Sequence, residues 1–175
     1  LQVVTPAAIN AALFSNLPFD FMRDIAPIVY AARLGYVVVV NPSVPATTLP
    51  EFVAYAKANP GKINYGSAGP GTPQNIACEL FKMMAGVNLV HVPYKGGAPA
   101  VVDLIAGHVQ MMFATASSVV PHIQDGKLRA LAVATLKRTA IFPDIPTIDE
   151  LGIKNFDATT WHGLVTRAGT PPAVV

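Results

Sequence analysis

Apolar and polar positions along this chain fall into short blocks whose period switches between strand-like and helix-like. Tyr36 to Val40 is an unbroken apolar run rich in valine, the pattern of a strand buried on both faces. Thr48-Leu49-Pro50-Glu51 has the spacing of a capping box, and Phe52, Val53, Tyr55 and Ala56 give the following helix an apolar face that stops at Asn59-Pro60-Gly61. Ile63 to Tyr65 reads as a short strand, followed by a glycine-rich turn and a helix from Pro73 to Ala85. Ile76, Leu80, Phe81 and Met84 form the predicted inward stripe of that helix, and Gly86 its stop. The unit then recurs: strand Leu89 to Val92, turn Pro93 to Gly97, helix Ala98 to Ala106 closed by Gly107. A third follows: strand Val109 to Phe113, polar turn Thr115 to Ser118, helix Val119 to Gln124 ended by Gly126. Three strand–turn–helix units of similar length predict an α/β fold with a parallel sheet and right-handed crossovers. In such sheets ligands collect at the carboxyl ends of strands, so the turns at 66–72, 93–97 and 114–118 are expected side by side on one edge.

The flanks are less regular. Leu1 to Thr5 reads as part of a strand, Leu128 to Ala134 as another, and Leu164 to Thr166 as a last one; Phe142 to Thr147 is a proline-rich connector, Ile148 to Leu151 a brief helix, and Thr170-Pro171-Pro172 the start of another. No repeat of fixed period and no low-complexity tract is present. The 175 residues are 52% hydrophobic and 13% charged, against a usual charged share of roughly 25%. That excess of apolar surface calls either for a sheet covered on both faces or for a part of the protein that is missing here. A net charge of +2 with dispersed Lys and Arg gives no footprint for nucleic acid. No apolar run reaches transmembrane length, and Leu1-Gln2-Val3-Val4-Thr5 lacks the regions of a signal peptide. Cys78, the one cysteine, forms no internal disulfide, and its helical apolar setting reads as buried packing rather than a reactive thiol.

The chemistry points to Asn64-Tyr65-Gly66-Ser67-Ala68-Gly69-Pro70-Gly71-Thr72-Pro73-Gln74. Thr72 reads as an N-cap and Pro73 as the first helical residue, so the junction is expected to present unpaired backbone N–H groups and the positive end of a helix dipole to a small anion. A P-loop requires a lysine after its last glycine, where Thr72 stands; a nucleophile elbow requires glycine two residues before the serine, where Tyr65 stands. What remains is backbone: Gly66, Gly69 and Gly71 permit close approach and Ser67 and Thr72 add hydroxyls, unless the glycines serve turn geometry alone. The second turn, Tyr94-Lys95-Gly96-Gly97-Ala98-Pro99, offers a second donor cluster; Tyr94 packs over a ligand or caps the sheet edge, and Lys95 reads as solvated. In the third, Thr115, Ser117 and Ser118 either hydrogen-bond a carboxylate or cap the next helix. His91, His108, His122 and His162 have no metal-motif spacing, the acidic residues are scattered, and no metal or cofactor is expected. Trp161, amid Thr159-Thr160 and His162-Gly163, closes over a ligand or shields a hinge.

Leu17-Pro18-Phe19-Asp20-Phe21-Met22-Arg23-Asp24-Ile25-Ala26-Pro27 is similar to the LPYDPxKDFAP signature of the Bug (TctC-like) receptors, the substrate-binding proteins of tripartite tricarboxylate transporters. Val39 to Ser43, Tyr65 to Gly69, His91 to Gly97, Gly126 to Ala132 and Pro143 to Thr147 resemble further family segments in the family's order, over essentially the whole chain. The resemblance implies a periplasmic, two-lobed binding protein of the type II class, closing on a small carboxylate held by backbone amides and small hydroxyls. It implies a partial first lobe at 1–43, a complete second lobe at 44–124 and a return to the first lobe at 125–175, with crossings near Asn41 and Gly126. Gly66, Ser67, Gly69, Thr72, Tyr94, Gly96, Gly97 and Thr115 become the expected second-lobe contacts. Thr5 to Ala8, with Ala7 among them, supply part of the first lobe's rim, and Thr160 and Trp161 approach from the other flank. The implied partners are the membrane subunits of a transporter; separately, the exposed partial lobe allows a dimer. Family members run to roughly twice a domain of about 150 residues, so the opening strand with its Pro-Gly-Gly turn and the C-terminal helices are expected to be missing here. Two other classes stand beside this one: the ligand-sensing domain of a transcription regulator with the same fold, and a doubly wound enzyme in which Ser67 meets His91.

Overall fold

The structure, a computed structural model, describes residues 2–13 and 15–174. Its first elements are β1 (Gln2–Val3), α1 (Val4–Leu13), α2 (Phe21–Asp24), β2 (Ile25–Val40), α3 (Leu49–Ala58), β3 (Asn64–Ser67) and α4 (Pro73–Ala85). Then come β4 (Val90–Pro93), α5 (Gly97–Ala106), β5 (Met111–Thr115), α6 (Ala116–Gln124), β6 (Arg129–Val133), β7 (Thr159–Arg167) and a 3-10 turn at Pro172–Val174. The chain forms two compact units, one of residues 1–34 with 160–175, the other of residues 35–159. The larger unit is thus wider than the 44–124 segment implied by resemblance, because the buried end of β2 and all of β6 belong to its sheet.

In the smaller unit β1 pairs antiparallel with β7, Gln2 opposite Val165 and Val3 opposite Leu164. The opening strand is shorter than its apolar pattern predicts, since α1 begins at Val4; Pro6 falls in the first helical turn, where a missing N–H costs nothing. Asp20 caps α2, accepting the N–H groups of Met22 and Arg23. β2 reaches back to Ile25, well before the predicted Tyr36. Pro27, Arg33 and Gly35 interrupt the apolar pattern over a stretch that is mostly exposed or half-buried. β7 likewise runs from Thr159 rather than from Leu164.

The sheet of the larger unit has the order β6-β2-β5-β3-β4. β3 pairs parallel with both β4 and β5, as the repeated units predict, but β2 runs antiparallel to β5 and to β6, so the sheet is mixed rather than parallel throughout. Nothing in hydrophobic period distinguishes a parallel from an antiparallel neighbour when both faces are buried, which is why β2 gave no sign of it. Its side chains feed two cores: Tyr36, Val38 and Val40 join Phe52, Phe81, Phe113 and Phe156 on one face, while Val37 and Val39 join Leu104, Met112 and Val119 on the other.

Local rules set most helix ends. The Thr48–Glu51 capping box of α3 is present, Thr72 caps α4, and Gly86 and Gly107 end α4 and α5 in the left-handed conformation. The buried face of α4 is Asn75, Ala77, Cys78, Phe81 and Ala85, however, whereas Ile76 and Met84 are over a third exposed and Leu80 half-buried. Small side chains let the helix sit close to the sheet, turning it about one residue from the predicted stripe. The predicted polar turn after β5 is the first turn of α6, with Thr115 as N-cap. Ile148 to Leu151 forms turns, not a helix. Thr147 and Glu150 exchange the reciprocal bonds of a capping box there (2.9 and 3.0 Å), but no helix propagates.

Asn41 shows how the sheet holds its helices. Its buried Nδ2 donates to the carbonyls of Leu104 (2.8 Å) and Ile105 (3.1 Å), Oδ1 accepts the Ser43 N–H (2.9 Å), and its own N–H donates to Gln110 (3.1 Å). It thereby gives a donor to the Ile105 carbonyl near the C-terminus of α5 and a second donor to that of Leu104, which also accepts the Gly107 N–H (3.2 Å). Asn41→Leu is expected to lower unfolding free energy by about 1–3 kcal/mol, the cost of stranding buried polar groups, as measured by urea denaturation. Cys78 is buried and free, and burial pushes its thiol pKa well up, in keeping with a packing role.

Candidate functional site

The three expected turns do share one edge. β3, β4 and β5 are parallel and end at Ser67, Pro93 and Thr115; Ser67 stands opposite Pro93, Gly66 opposite Met112, and the Tyr94 N–H donates to the Ser67 carbonyl at 3.0 Å.

The glycine-rich turn is not the row of unpaired amides predicted for it. The Ala68 N–H donates to Gln74 Oε1 (3.2 Å), Gly69 N–H to Ser67 Oγ (3.1 Å), Gly71 N–H to Asn75 Oδ1 (3.1 Å) and Thr72 N–H to the Gly69 carbonyl (3.3 Å). Thr72 Oγ1 donates to the same carbonyl at 2.7 Å and accepts the Asn75 N–H at 3.5 Å. Side chains from α4 fold back on the turn and consume its donors, which fixes the turn's shape. Gly69 holds φ +126°, a conformation that side chains exclude. Gly66 serves packing: a Cβ there would meet Val109 at 3.3 Å and Ala100 and Tyr94 at 3.5 Å.

Two helix N-termini lie next door. α5 is N-capped by Gly96 (φ +124°) and α6 by Thr115, and neither cap's side chain accepts a backbone N–H of its helix. The first-turn amides of both helices, with their share of the helix dipole, therefore face the edge without a side-chain acceptor from the cap. Thr115 Oγ1 donates instead to Ser118 Oγ (3.2 Å), which donates to the Thr115 carbonyl (2.8 Å). Gln74 joins the two regions: its Oε1 holds Ala68 while its Nε2 lies 3.4 Å from where a Cβ on Gly97 would sit. The Tyr94 hydroxyl is committed to Asp103 Oδ2 at 2.7 Å; burial first, then that bond, push its pKa up to about 12. Lys95 is exposed.

Behind the turn stands a polar set of which the sequence suggested only the meeting of Ser67 with His91. His91 Nε2 meets Ser67 Oγ at 2.7 Å, and its ring stacks on Tyr65 with centroids 4.8 Å apart. The Tyr65 hydroxyl donates to Glu79 (2.5 Å) and accepts from Asn75 Nδ2 (2.8 Å); Lys82 holds Glu79 at 2.9 Å. Burial pushes the Glu79 pKa up, but the Tyr65 and Lys82 bonds outweigh it and the net shift is downward. The signal was strand register alone: Tyr65 and His91 are directly opposite once β3 and β4 pair. Burial lowers the His91 pKa below its ordinary 6.5, with Glu79 opposing and Lys82 reinforcing the shift. The unfolded chain therefore takes up this proton first, so the contribution is full above pH 6.5 and is lost as pH falls through the lower folded value. Unfolding free energy should decline between about pH 7 and 5, with a shallower slope in His91→Gln. Ser67 and His91 thus meet, but Ser67 is fully buried and cannot reach a substrate as a nucleophile.

Three candidates lie in the smaller unit. Thr5 and Ala7 are on α1, and their side chains fall outside the described residues. Trp161, on β7, lines an apolar groove of about 460 Å³ with Phe21, Met22, Ile25, Tyr30 and Leu164, and Thr160 beside it is buried.

The model of the "Tripartite tricarboxylate transporter family receptor" family matches residues 1–175. The chain belongs to that receptor family. Among its relatives is the protein BugT of Bordetella pertussis, 33% identical over 170 residues, covering 97% of this chain and 52% of BugT. The structure of R. palustris Rpa4515 with adipate superposes with a TM-score of 0.91 at 30% identity, over 98% of this chain and 58% of that one. The structure of the periplasmic binding protein BugD gives 0.92 at 32% identity, over 97% and 57%. The chain spans about half the length of the curated relatives it matches. Its fold is the mixed α/β fold of periplasmic binding proteins, and the family is one of transport receptors, not enzymes. The regulator reading is not favoured by any of these likenesses.

Proposed function

We propose that this protein is a periplasmic receptor that binds a small carboxylate and delivers it to the membrane subunits of a tripartite tricarboxylate-type transporter. The observation carrying this reading is the pair of helix N-termini, α5 and α6, whose caps leave their first-turn amides without a side-chain acceptor at one sheet edge. An anion at such a site gains from backbone donors and from the helix dipoles without a cationic side chain. The adipate carried by Rpa4515 supports the carboxylate class. In this reading Gly96, Gly97 and Thr115 make direct contacts. Gly66, Ser67, Gly69 and Thr72 shape the floor, and Tyr94 lies against Gly66 as a wall. Thr5, Ala7 and Trp161 are proposed contacts on the strength of resemblance, as are the lobes at 1–43, 44–124 and 125–175. A dimer through the exposed partial lobe, where Met22 is 86% exposed, is also proposed. Sedimentation velocity of wild type against Met22→Asp checks it, and a wild-type monomer would refute it.

A thermal-shift screen of the intact protein against C4 to C9 mono-, di- and tricarboxylates tests the main proposal. A ligand that binds only the native state must raise the midpoint by mass action. A rise with one or more acids is the expected result, and a flat response across the panel would overturn the carboxylate assignment.

A further inference from the structure

The glycine-rich turn owes its shape to Ser67 and Asn75, which hold the amides of Gly69 and Gly71. Each of these is gripped in turn by a ring: Ser67 by His91, and Asn75 by the Tyr65 hydroxyl. The two rings stack at an interplanar angle of 16°, and Glu79 and Lys82 close the set on the α4 side. Resting on the carboxylate-receptor reading above, we infer that His91 is a positioning residue for the ligand site: by holding Ser67 Oγ it sets the Gly69 amide, and through it the floor beside the α5 N-terminus.

The atom count at Ser67 explains why an imidazole suits this place. The hydroxyl has one proton and two candidate acceptors, His91 Nε2 at 2.7 Å and the Gly69 carbonyl at 3.2 Å, while it must accept from the Gly69 N–H. A neutral ring with an unprotonated Nε2 accepts the hydrogen bond of the Ser67 O–H, and the hydroxyl keeps a lone pair for the Gly69 N–H. A protonated ring donates instead, so the serine proton turns to the Gly69 carbonyl and the grip on the turn changes. The groups facing the ring are Tyr65 and Ser67 from β3 and Glu79 and Lys82 from α4. The last two have opposing effects, and burial keeps the ring neutral at neutral pH. The turn passes any displacement onward, because the Ser67 carbonyl accepts the Tyr94 N–H and a Cβ on Gly69 would stand 3.4 Å from the Tyr94 carbonyl, two residues before Gly96.

The test uses the intact, 15N-labelled protein, with the panel acid that shifts the wild type most as probe. The Gly69 amide resonance should titrate together with the His91 ring, and this titration should vanish in His91→Gln while the resonance keeps its neutral-pH position. His91→Leu should displace the Gly69 and Gly96 amides and weaken the probe about tenfold or more, whereas His91→Gln, which can still hold Ser67, should stay within about threefold. Phe52→Leu, buried on α3 and outside the strands and helix that carry the turn, provides a variant of reduced stability that should leave affinity unchanged. Equal affinity in His91→Leu and wild type, or a loss matched by Phe52→Leu, would overturn the inference while leaving the receptor reading standing. A wild type silent to every acid would overturn both.

Discussion

Replacing Phe81 by alanine is expected to lower unfolding free energy by about 3–5 kcal/mol, the range for emptying a buried aromatic site. Phe81 is fully buried, with ring centroids 6.5 Å from Phe52, 5.9 Å from Phe113 and 6.4 Å from Phe156. It is the point at which α4 meets the sheet, so the cavity would be bounded by three other rings that cannot all move in to fill it. Because α4 also carries Thr72, Gln74 and Asn75 at its start, a loosened helix would release the turn it braces. Ile76→Ala on the same helix should stay within about 0.5 kcal/mol, since partly exposed substitutions of this kind change little. Urea denaturation of both variants checks the pair. A Phe81→Ala loss no larger than that of Ile76→Ala would mean that α4 is seated on a different face.

The second large effect is expected at Gly69. At φ +126° a side chain is strained whatever the space, and a Cβ there would also stand 3.4 Å from the Tyr94 carbonyl. Gly69→Ala should cost about 1–3 kcal/mol in stability. The greater loss is functional: relieving the strain re-routes the Gly69–Thr72 turn and misplaces the floor under the α5 N-terminus, so the carboxylate-induced rise in melting midpoint should disappear. Gly126→Ala is the comparison, because Gly126 also has positive φ but nothing within 4 Å of its Cβ position; it should lose stability and keep the ligand response. A Gly69→Ala protein with an undiminished response would remove the turn from the site.

These expectations rest on features of very different visibility in the sequence. Helix ends are written locally: the Thr48–Glu51 box, Thr72 with Pro73, and Gly86 are readable because capping involves residues within four positions of one another. The shared edge of the three turns is readable for a similar reason, since strand–turn–helix repeats impose one direction on β3, β4 and β5. The face of α4 is not. Ile76 and Met84 outweigh Ala77, Cys78 and Ala85 in hydrophobicity, yet close packing against a sheet favours the small side chains. The antiparallel β2 leaves no trace in a run of valines buried on both sides. At the site, the turn's glycines announced an anion-binding geometry, but whether its amides stay open depends on Gln74 and Asn75 folding back from the next helix. The Tyr65–His91 stack depends on β3–β4 register, a long-range property that neither segment encodes alone.

The most direct measurement is a titration of the intact, 15N-labelled protein with the panel carboxylate that most raises its melting midpoint, following backbone amide shifts. Perturbations concentrated at Gly96 to Ala98 and Ala116 to Ser118, with smaller ones at Gly69 to Thr72, are the predicted result, because the amides left without a side-chain cap are at the starts of α5 and α6. Saturable binding that leaves those amides unmoved and shifts residues elsewhere would contradict the assignment of this sheet edge as the carboxylate site.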